Sequence, residues 1–309
     1  MTASHVEDVT WLRVEDSSAA ASVRRSATRL CEQLGFDAVR TAEIALATTE
    51  LATNAVAHAV ATSVLFRIRR GDDEPLLELI MIDSGPGITD VEAMFEDGVS
   101  RHGTLGIGLG AIRRIANRFD IHSVPGRGSI FAVTFAQDRR RVPAAHVIDG
   151  ISRPITGEIV CGDAWASRVD GRRLAVLVAD GLGHGQLAAN AANTAVDVFG
   201  RDPWLGPSEV LQAAHRAMGA TRGAAAAVVD VDFESGALRF AGVGNIAARI
   251  VGAERTNGLI SQPGIVGQQM RNVREITLTM SRGLVLILHS DGLTSKWEPQ
   301  SIPHLTSQP

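Results

Sequence analysis

The stretch ELATNAVAHA, residues 50–59, lies inside an alanine-rich run that predicts a helix over 38–60. Residues four apart on a helix share a face, so Glu50, Asn54 and His58 form a polar stripe on an otherwise apolar element. Taken alone, such a stripe is most often a solvated surface. The motifs that follow it in the chain favour a binding site instead.

A second polar motif, DSGPGI, follows the apolar run LLELIMI and occupies residues 83–88. Asp83 stands at the end of a predicted strand, while Gly85 and Gly87 allow backbone conformations that side chains would forbid. A buried carboxylate at this point could accept a hydrogen bond from the amino group of a nucleotide base. The motif therefore indicates one wall of a nucleotide pocket.

A glycine-rich segment, RHGTLGIGLGAIRRIANRF, occupies residues 101–119 and leads into a predicted helix over 108–118. Free backbone N–H groups and the positive end of a helix dipole favour an anion such as a triphosphate. On its own the segment is equally well a flexible turn. It is not a Rossmann fingerprint, because no strand immediately precedes it, and it is not a P-loop, because no Gly-Lys-Ser/Thr occurs.

These motifs, in this order and followed by the GRGS turn at 126–129, resemble the GHKL (HATPase_c) family of ATP-binding domains over about residues 15–137. The short segment between Gly87 and Gly103 is most similar to the RsbT-like anti-sigma-factor serine kinases. The resemblance implies that Asn54 holds Mg²⁺ on the ATP phosphates and that Glu50 is the general base toward a serine hydroxyl. It implies further nucleotide contacts from Asp83, Gly85, Gly87, Gly103, Thr104, Gly106, Gly108 and Ser129. His58 receives no chemical assignment.

In the second half of the chain, three aspartates stand near the ends of predicted strands. Asp163 lies in CGDAW, Asp180 in RLAVLVADGLGHG and Asp291 in GLVLILHSDG. Each Asp-Gly pair alone is more typical of a hairpin turn. Three carboxylates at one edge of a sheet would instead form an oxygen-only site for Mg²⁺ or Mn²⁺, suited to phosphate-ester hydrolysis.

The order of these motifs, together with GVGN at 242–245, resembles the SpoIIE and RsbX type of metal-dependent serine/threonine phosphatase over about residues 150–295. The resemblance implies that Asp180 bridges the metal ions as a catalytic residue, and that the carbonyl of Gly181 and the carboxylates of Asp163 and Asp291 complete the metal ligands. His184, in GLGHG, is expected to structure a turn.

The sequence departs from this second family after Asp291. No aspartate follows it, and Glu298 is the only acid in the remaining residues. The residues after Asp291 also read as loop, so the final strand of the fold is expected to be missing. Either the chain is truncated or one metal ion is bound weakly, and we expect reduced phosphatase activity.

The chain as a whole has 309 residues, which suits two domains. We predict an α+β protein: a GHKL α/β sandwich over 1–137, a linker over 138–152, and a phosphatase 2C-like αββα sandwich of antiparallel sheets over 153–309. A formal charge of −4 gives no basic footprint for nucleic acid. Two distant cysteines, and neither a signal peptide nor a membrane-spanning apolar run, predict a cytoplasmic protein without a membrane partner.

The periodicity predicts the remaining elements. In the first half we expect helices over 17–34, 38–60 and 108–118, and strands over 62–70, 76–82 and 129–136. In the second half we expect helices over 185–199 and 207–219, the latter capped by Ser208, and β-like stretches over 155–168, 173–179, 224–233, 237–245, 247–252, 274–280 and 283–290.

The two resemblances together imply a bifunctional partner-switching regulator. It would use ATP to phosphorylate, and Mg²⁺ or Mn²⁺ to dephosphorylate, serine or threonine in STAS-domain anti-anti-sigma-type proteins of bacterial stress signalling. A sigma factor or a stressosome-type assembly is a further expected partner. Two alternatives stay open: a non-catalytic ATP-dependent binding switch of the anti-sigma or activator type that regulates the attached phosphatase, and an ATP-sensing phosphatase.

Overall fold

The computed structural model describes residues 5–70, 74–91, 108–139, 148–252, 256–281, 283–294, 297 and 302. The chain divides into two compact units, one over His5–Ala145 and the other from His146 onward. The predicted boundaries of the linker stay a prediction, because residues 140–147 lie outside the described residues.

The first unit is a five-stranded antiparallel sheet with helices. Its elements are β1 (His5–Val14), α1 (Ser17–Gln33), α2 (Ala38–His58), β2 (Thr62–Arg70), β3 (Leu76–Asp83), α3 (Gly108–Ile115), β4 (Arg118–Val124) and β5 (Gly128–Phe135). The sheet order is β1-β2-β3-β5-β4. Apolar residues of α1, α2 and α3 form one core with alternate residues of the strands, including Leu51, Phe66, Leu79 and Val133.

Both long helices of this unit begin at an aspartate. The side chain of Asp16 accepts a hydrogen bond from the backbone N–H of Ala19, and that of Asp37 accepts one from Arg40. These bonds satisfy N–H groups that the first helical turn leaves open. The pKa of Asp16 is lowered by the hydrogen bond from the Ser18 hydroxyl and then by that from Ala19, and the pKa of Asp37 is lowered by the bond from Arg40.

A buried arginine joins α2 to the far edge of the unit. The guanidinium of Arg40 donates to the carbonyl oxygens of Ile115, at 2.9 Å, and Ala136, at 2.8 Å, and to the side-chain oxygen of Asn117, at 2.6 Å. Ile115 is the last residue of α3, so Arg40 supplies donors where the helix has open carbonyls. The arginine thereby fixes the end of α3 against the start of α2.

The second unit contains two antiparallel sheets and two helices. Its elements are β6 (Asp163–Val169), β7 (Arg173–Gly181), α4 (Gln186–Arg201), α5 (Pro207–Ala217), β8 (Ala224–Asp232), β9 (Ala237–Val243), β10 (Ala247–Val251), β11 (Thr256–Leu259), β12 (Ile276–Thr279) and β13 (Val285–His289). The sheet orders are β12-β9-β8-β7-β6 and β11-β10-β13. Within the described residues, β13 pairs only with β10.

Two apolar cores hold the layers of this unit together. One lies between α4, α5 and the five-stranded sheet and is rich in alanine, with Phe199 and Met218 as its largest members. The other lies between the two sheets, with Phe240 and Ile250 at its centre. The mixed helical and antiparallel architecture confirms the predicted fold class. In the described part of the chain, helices cover one side of the double sheet.

Several element predictions need correction. Strands β1, β4 and β11 were not predicted, and the predicted helix over 108–118 ends at Ile115. The β-like stretch over 155–168 becomes a strand only from Asp163. The N-cap of α5 is Gly206, whose N–H donates to the Glu209 carboxylate at 3.0 Å, and not Ser208, whose hydroxyl donates to Glu275. No described helix has the length and apolarity needed to cross a bilayer.

Candidate functional sites

Glu50 and Asn54 lie one turn apart on α2, at the border between its buried and exposed faces. Neither side chain forms a hydrogen bond or ion pair with the described residues. His58, which completes the predicted stripe, is the last residue of the helix and is exposed. At about 1.5 Å per residue, Asn54 lies about 8 Å and Glu50 about 14 Å along the axis from the helix end at Ala59. Two polar groups are thus available to a ligand here.

Asp83 is buried at the end of β3, where its side chain accepts a hydrogen bond from the N–H of Gly85 at 2.7 Å. No cationic side chain among the described residues pairs with it. A side chain at Gly85 would meet Asp83 and, at 3.4 Å, the backbone of Ala59 and Val60. The DSGPG turn therefore lies against the end of α2, and a buried carboxylate without a cation is costly unless a ligand satisfies it.

The GRGS turn also contacts Asp83. Ser129 on β5 is the pairing partner of Asp83, and a Cβ at Gly128, which has φ +115°, would lie 2.0 Å from the Asp83 carbonyl oxygen. Sequence reasoning did not find Ser123, whose hydroxyl is 2.9 Å from that of Ser129 and accepts the N–H of Ile88 at 2.7 Å. Through these two contacts Ser123, on β4, connects the GRGS turn with the residue that follows the DSGPG turn.

The glycine-rich segment is described only from Gly108, which has φ +68° and begins α3. A left-handed backbone conformation at this position favours glycine. Gly87, with φ +71°, lies against the carbonyl of Val124. The predicted nucleotide contacts Gly103, Thr104 and Gly106 lie outside the described residues.

In the second unit, Asp163 at the start of β6 pairs directly with Asp180 near the end of β7. The adjoining glycines permit this approach. A side chain at Gly181 would lie 2.0 Å from the Ala188 carbonyl oxygen, so α4 packs directly on the backbone at the strand end. Asp291 follows β13 of the other sheet. The fold thus brings the predicted carboxylates to one end of the double sheet.

The three carboxylates interact electrostatically. Burial and repulsion by Asp163 and Asp291 raise the pKa of Asp180 to about 7. Two polar side chains that sequence reasoning did not assign contact the same group. Asn245 donates to Asp291 at 3.2 Å, and Ser290 donates to Asp163 at 2.7 Å. Asn245 is the last residue of the GVGN motif, and this motif is the sequence signal from which its position near the aspartates could have been predicted.

Asp163, Asp180 and Asp291, which we call the acidic cluster, can hold a metal ion only if their spacing allows it. Among the described residues, no group of three His, Cys, Asp or Glu side chains is already gathered at metal-binding spacing. The donor set nevertheless fits Mg²⁺ or Mn²⁺, because it contains only oxygen atoms and its mutual repulsion is the condition that a divalent cation relieves. The carboxylates would have to draw together around the ion. Glu298 lies outside the described residues.

A histidine–carboxylate pair lies beside the acidic cluster. His184 Nδ1 is 2.6 Å from Glu158 Oε1, and a Cβ at Gly185 would lie 2.8 Å from the same carboxylate. His184 is exposed, and no described residue pairs with its other ring nitrogen. We predicted that His184 structures a turn. The structure adds a contact that the prediction did not contain, because the ring is also held by Glu158 in the segment before β6.

Comparison with known proteins follows the division into two units. Residues 14–134 match the histidine kinase-like ATPase domain, and residues 170–301 match Stage II sporulation protein E. The chain is 31% identical over 124 residues to the serine/threonine-protein kinase RsbT of Bacillus subtilis (strain 168), covering 40% of this chain and 93% of RsbT. It is 27% identical over 139 residues to the phosphoserine phosphatase RsbX of the same organism, covering 44% of this chain and 69% of RsbX.

The chain is similar to a solved structure of RsbX in complex with magnesium, with 24% identity and a TM-score of 0.47, covering 51% of this chain and 78% of that chain. Another is a chain from a structural study of the bacterial stressosome, with 32% identity and a TM-score of 0.47, covering 49% and 79% of the two chains.

Proposed function

Because the chain belongs to the RsbT family of histidine kinase-like ATPase domains in its first unit and carries a SpoIIE domain in its second, we propose that it both phosphorylates and dephosphorylates serine or threonine in a partner protein. The kinase-like and phosphatase-like domains suit a partner-switching regulator. ATP is the phosphate donor in this proposal, and Mg²⁺ or Mn²⁺ serves both reactions.

One observation carries the proposal: each unit presents carboxylates that no described cation neutralises. Glu50 and Asp83 are such groups in the first unit, and Asp163, Asp180 and Asp291 are such groups in the second. Of these five, Asp83 is buried, Asp291 is exposed and the others are partly buried. The buried carboxylates Glu78 and Asp230 are by contrast paired with arginine, Glu78 with Arg69 at 3.0 Å and Asp230 with Arg173 at 2.7 Å. Unneutralised acids at strand and helix ends are expected where a ligand or a metal ion supplies the missing positive charge.

In the kinase reaction, Asp83 would accept a hydrogen bond from the amino group of adenine, and Asn54 would hold Mg²⁺ on the ATP phosphates. Glu50 would take the proton from the incoming hydroxyl, for which a positioned carboxylate contributes about 10²–10⁴-fold. The glycines at 85, 87, 103, 106 and 108, with Thr104 and Ser129, would complete the pocket. Gly108 begins α3, where N–H groups and the helix dipole favour phosphate.

In the phosphatase reaction, Asp163, Asp180, Asp291 and the carbonyl of Gly181 would hold Mg²⁺ or Mn²⁺. Such a metal ion would lower the pKa of a water molecule bound to it and would polarise a phosphoryl oxygen of the substrate. Asn245 and Ser290 orient the carboxylates through the hydrogen bonds described above.

The partner in this proposal is a small STAS-domain anti-anti-sigma-type protein, with a sigma factor or a stressosome-type assembly as a further contact. The names of RsbT and RsbX, a protein kinase and a phosphoserine phosphatase, support a protein substrate. The cytoplasmic location predicted from the sequence stays a prediction.

The test is incubation of the full chain with ATP and a STAS protein, with and without Mn²⁺, followed by intact mass measurement of the STAS protein. Glu50→Gln should reduce phosphorylation by about 10²–10⁴-fold while ATP binding is retained. Glu32→Gln, at an exposed acid on α1, is the matched control. ATP-dependent binding of the STAS protein without any transfer by the wild-type chain would favour the non-catalytic switch.

A further inference from the structure

A cleft adjoins the acidic cluster of the second unit. It has a volume of about 660 Å³ and is lined by Leu182, Gly183, Arg222, Ile265, Gln268 and Gln269. Leu182 and Gly183 directly follow Gly181 in the chain. Three residues of chain span at most about 11 Å, so the Asp180 carboxylate and the cleft are near neighbours.

The walls of the cleft are fixed by backbone hydrogen bonds. The N–H of Leu182 donates to the Gly223 carbonyl at 3.0 Å, and Ala224 and Val266 exchange two bonds of 2.9 and 3.0 Å. Gln268 donates from its side chain to the carbonyl of Thr221 at 2.7 Å. A preformed groove of this kind loses little conformational entropy when a ligand binds.

Arg222 gives the cleft its charge. A Cβ at Gly183 would lie 3.0 Å from the Arg222 Nη1, so the guanidinium lies against the glycine backbone. Arg222 is exposed, and it makes no hydrogen bond or ion pair with the described residues. It is therefore a cation without a described partner that lies against Gly183, three residues after Asp180. Its planar guanidinium is suited to binding a carboxylate.

We propose that this cleft binds the part of the substrate protein that flanks the phosphorylated residue, and that Arg222 pairs with an acidic side chain two or three positions away from it. An extended peptide advances about 3.3 Å per residue, so two or three residues cover the distance from the acidic cluster into the cleft. Leu182 and Ile265 offer apolar contact, and Gln269 offers an amide to the peptide backbone. This inference rests on the proposed phosphatase function and assigns it a sequence preference.

The experiment compares three substrates of the full chain with Mn²⁺: para-nitrophenyl phosphate, a phosphoserine peptide with glutamates flanking the phosphoserine, and the same peptide with glutamines there. Because Arg222 is exposed, Arg222→Gln should raise KM for the acidic peptide by about threefold to fivefold with kcat little changed, and Arg222→Lys should give a smaller increase. The glutamine peptide and para-nitrophenyl phosphate should be hydrolysed as by the wild type. Arg216→Gln, at an exposed arginine of α5 outside the cleft, is the control.

A second readout does not depend on turnover. Without metal, the anisotropy of a fluorescent acidic phosphopeptide should report about threefold to fivefold weaker binding to Arg222→Gln than to the wild type. An unchanged KM and affinity for the acidic peptide would overturn the proposal, as would an equal loss on all three substrates, which would place Arg222 at the phosphate itself. If the wild type hydrolyses none of the three substrates, the proposed phosphatase function fails, whereas the binding measurement still judges the cleft.

Discussion

Asp180 and Asp230 lie on neighbouring strands of the same sheet, yet their surroundings are opposite. Asp230, on β8, is buried between Arg173, at 2.7 Å, and Arg239. The hydrogen bond that Arg173 donates to Asp230 raises the pKa of Arg173. Asp180, on β7, instead lies near Asp163 and Asp291, which repel its charge and help to raise its pKa to about 7. A carboxylate that the fold pairs with cations contributes to structure, and one that the fold places among other acids is available for a ligand.

The first unit repeats this contrast. Asp8 pairs with Arg67 at 2.7 Å and Glu78 pairs with Arg69 at 3.0 Å, both within the sheet. Glu50 and Asp83 have no such partner among the described residues. The following substitutions would break or sharpen the distinction between neutralised and unneutralised acids.

The largest effect is expected from Asp180→Asn. Loss of a carboxylate that would hold the metal should lower Mn²⁺-dependent hydrolysis of para-nitrophenyl phosphate by about 10³-fold, since a bound metal contributes several kcal/mol to such reactions. The free energy of unfolding without metal should not fall at pH 8, because the substitution removes a repelled charge. Activity close to that of the wild type would contradict the assignment of Asp180.

Asp230→Ala should have the converse effect. Removing the acid leaves Arg173 and Arg239 without their shared partner and should lower the free energy of unfolding by about 2–3 kcal/mol. This value is below the range for fully buried pairs, because both arginines are about a third exposed. Urea denaturation measures the loss. The specific activity of the folded fraction should be retained, and its collapse would contradict a purely structural role.

The pH dependence of metal-free stability provides a third comparison. Between about pH 4 and 7 the folded chain keeps a proton on Asp180 that the unfolded chain, with a pKa near 3.8, has lost. The folded state binds more protons in this window, so the contribution of Asp180 to stability falls as pH rises from 4 to 7. Mn²⁺ should raise Tm more at pH 8 than at pH 6, because below pH 7 it must displace this proton. Asp180→Asn should remove the difference, whereas an equal Mn²⁺ effect at both pH values in the wild type would argue against the cluster.

The smallest effect is expected from Glu158→Gln. The Glu158–His184 pair is largely exposed, and pairs of this kind contribute about 0.2–1 kcal/mol, which corresponds to a factor of up to about five. We expect the free energy of unfolding to fall by no more than this amount. Because the pair holds the turn that follows Asp180 and Gly181, we expect phosphatase kcat to fall by no more than a factor of about five. Glu234→Gln, which breaks an exposed pair with Arg172, is the control and should leave kcat unchanged. If Glu158→Gln lowers Tm without lowering kcat, the pair stabilises the loop around His184 and has no effect on the phosphatase reaction.

Sequence reasoning succeeded where a motif and an element coincide. The helix carrying Glu50, the strand ending at Asp83 and the strands bearing Asp163 and Asp180 were all predicted, because apolar periodicity and glycine signals agree there. The proximity of Asp163 and Asp180 also followed from strand ends meeting at one edge. The proposed roles of these residues stay predictions.

The misses have local causes. Strand β1 carries a bulge between Asp8 and Thr10, which breaks the alternation of period two on which strand prediction relies. Strand β11 contains Asn257 and Gly258, a typical turn signal. Arg222 and Glu158 acquire their neighbours only through tertiary contacts, which no sequence pattern announces.

The hydrogen bonds of Arg40 and the apolar core act together on α3. Arg40 joins the carboxyl end of α3 to the start of α2. Leu109 and Ile112, nearer the start of α3, are buried in the same core as Leu51 of α2. The described part of α3 is therefore held against the helix that carries Glu50 along its length, and a shift of one helix would have to break both the hydrogen bonds and the packing.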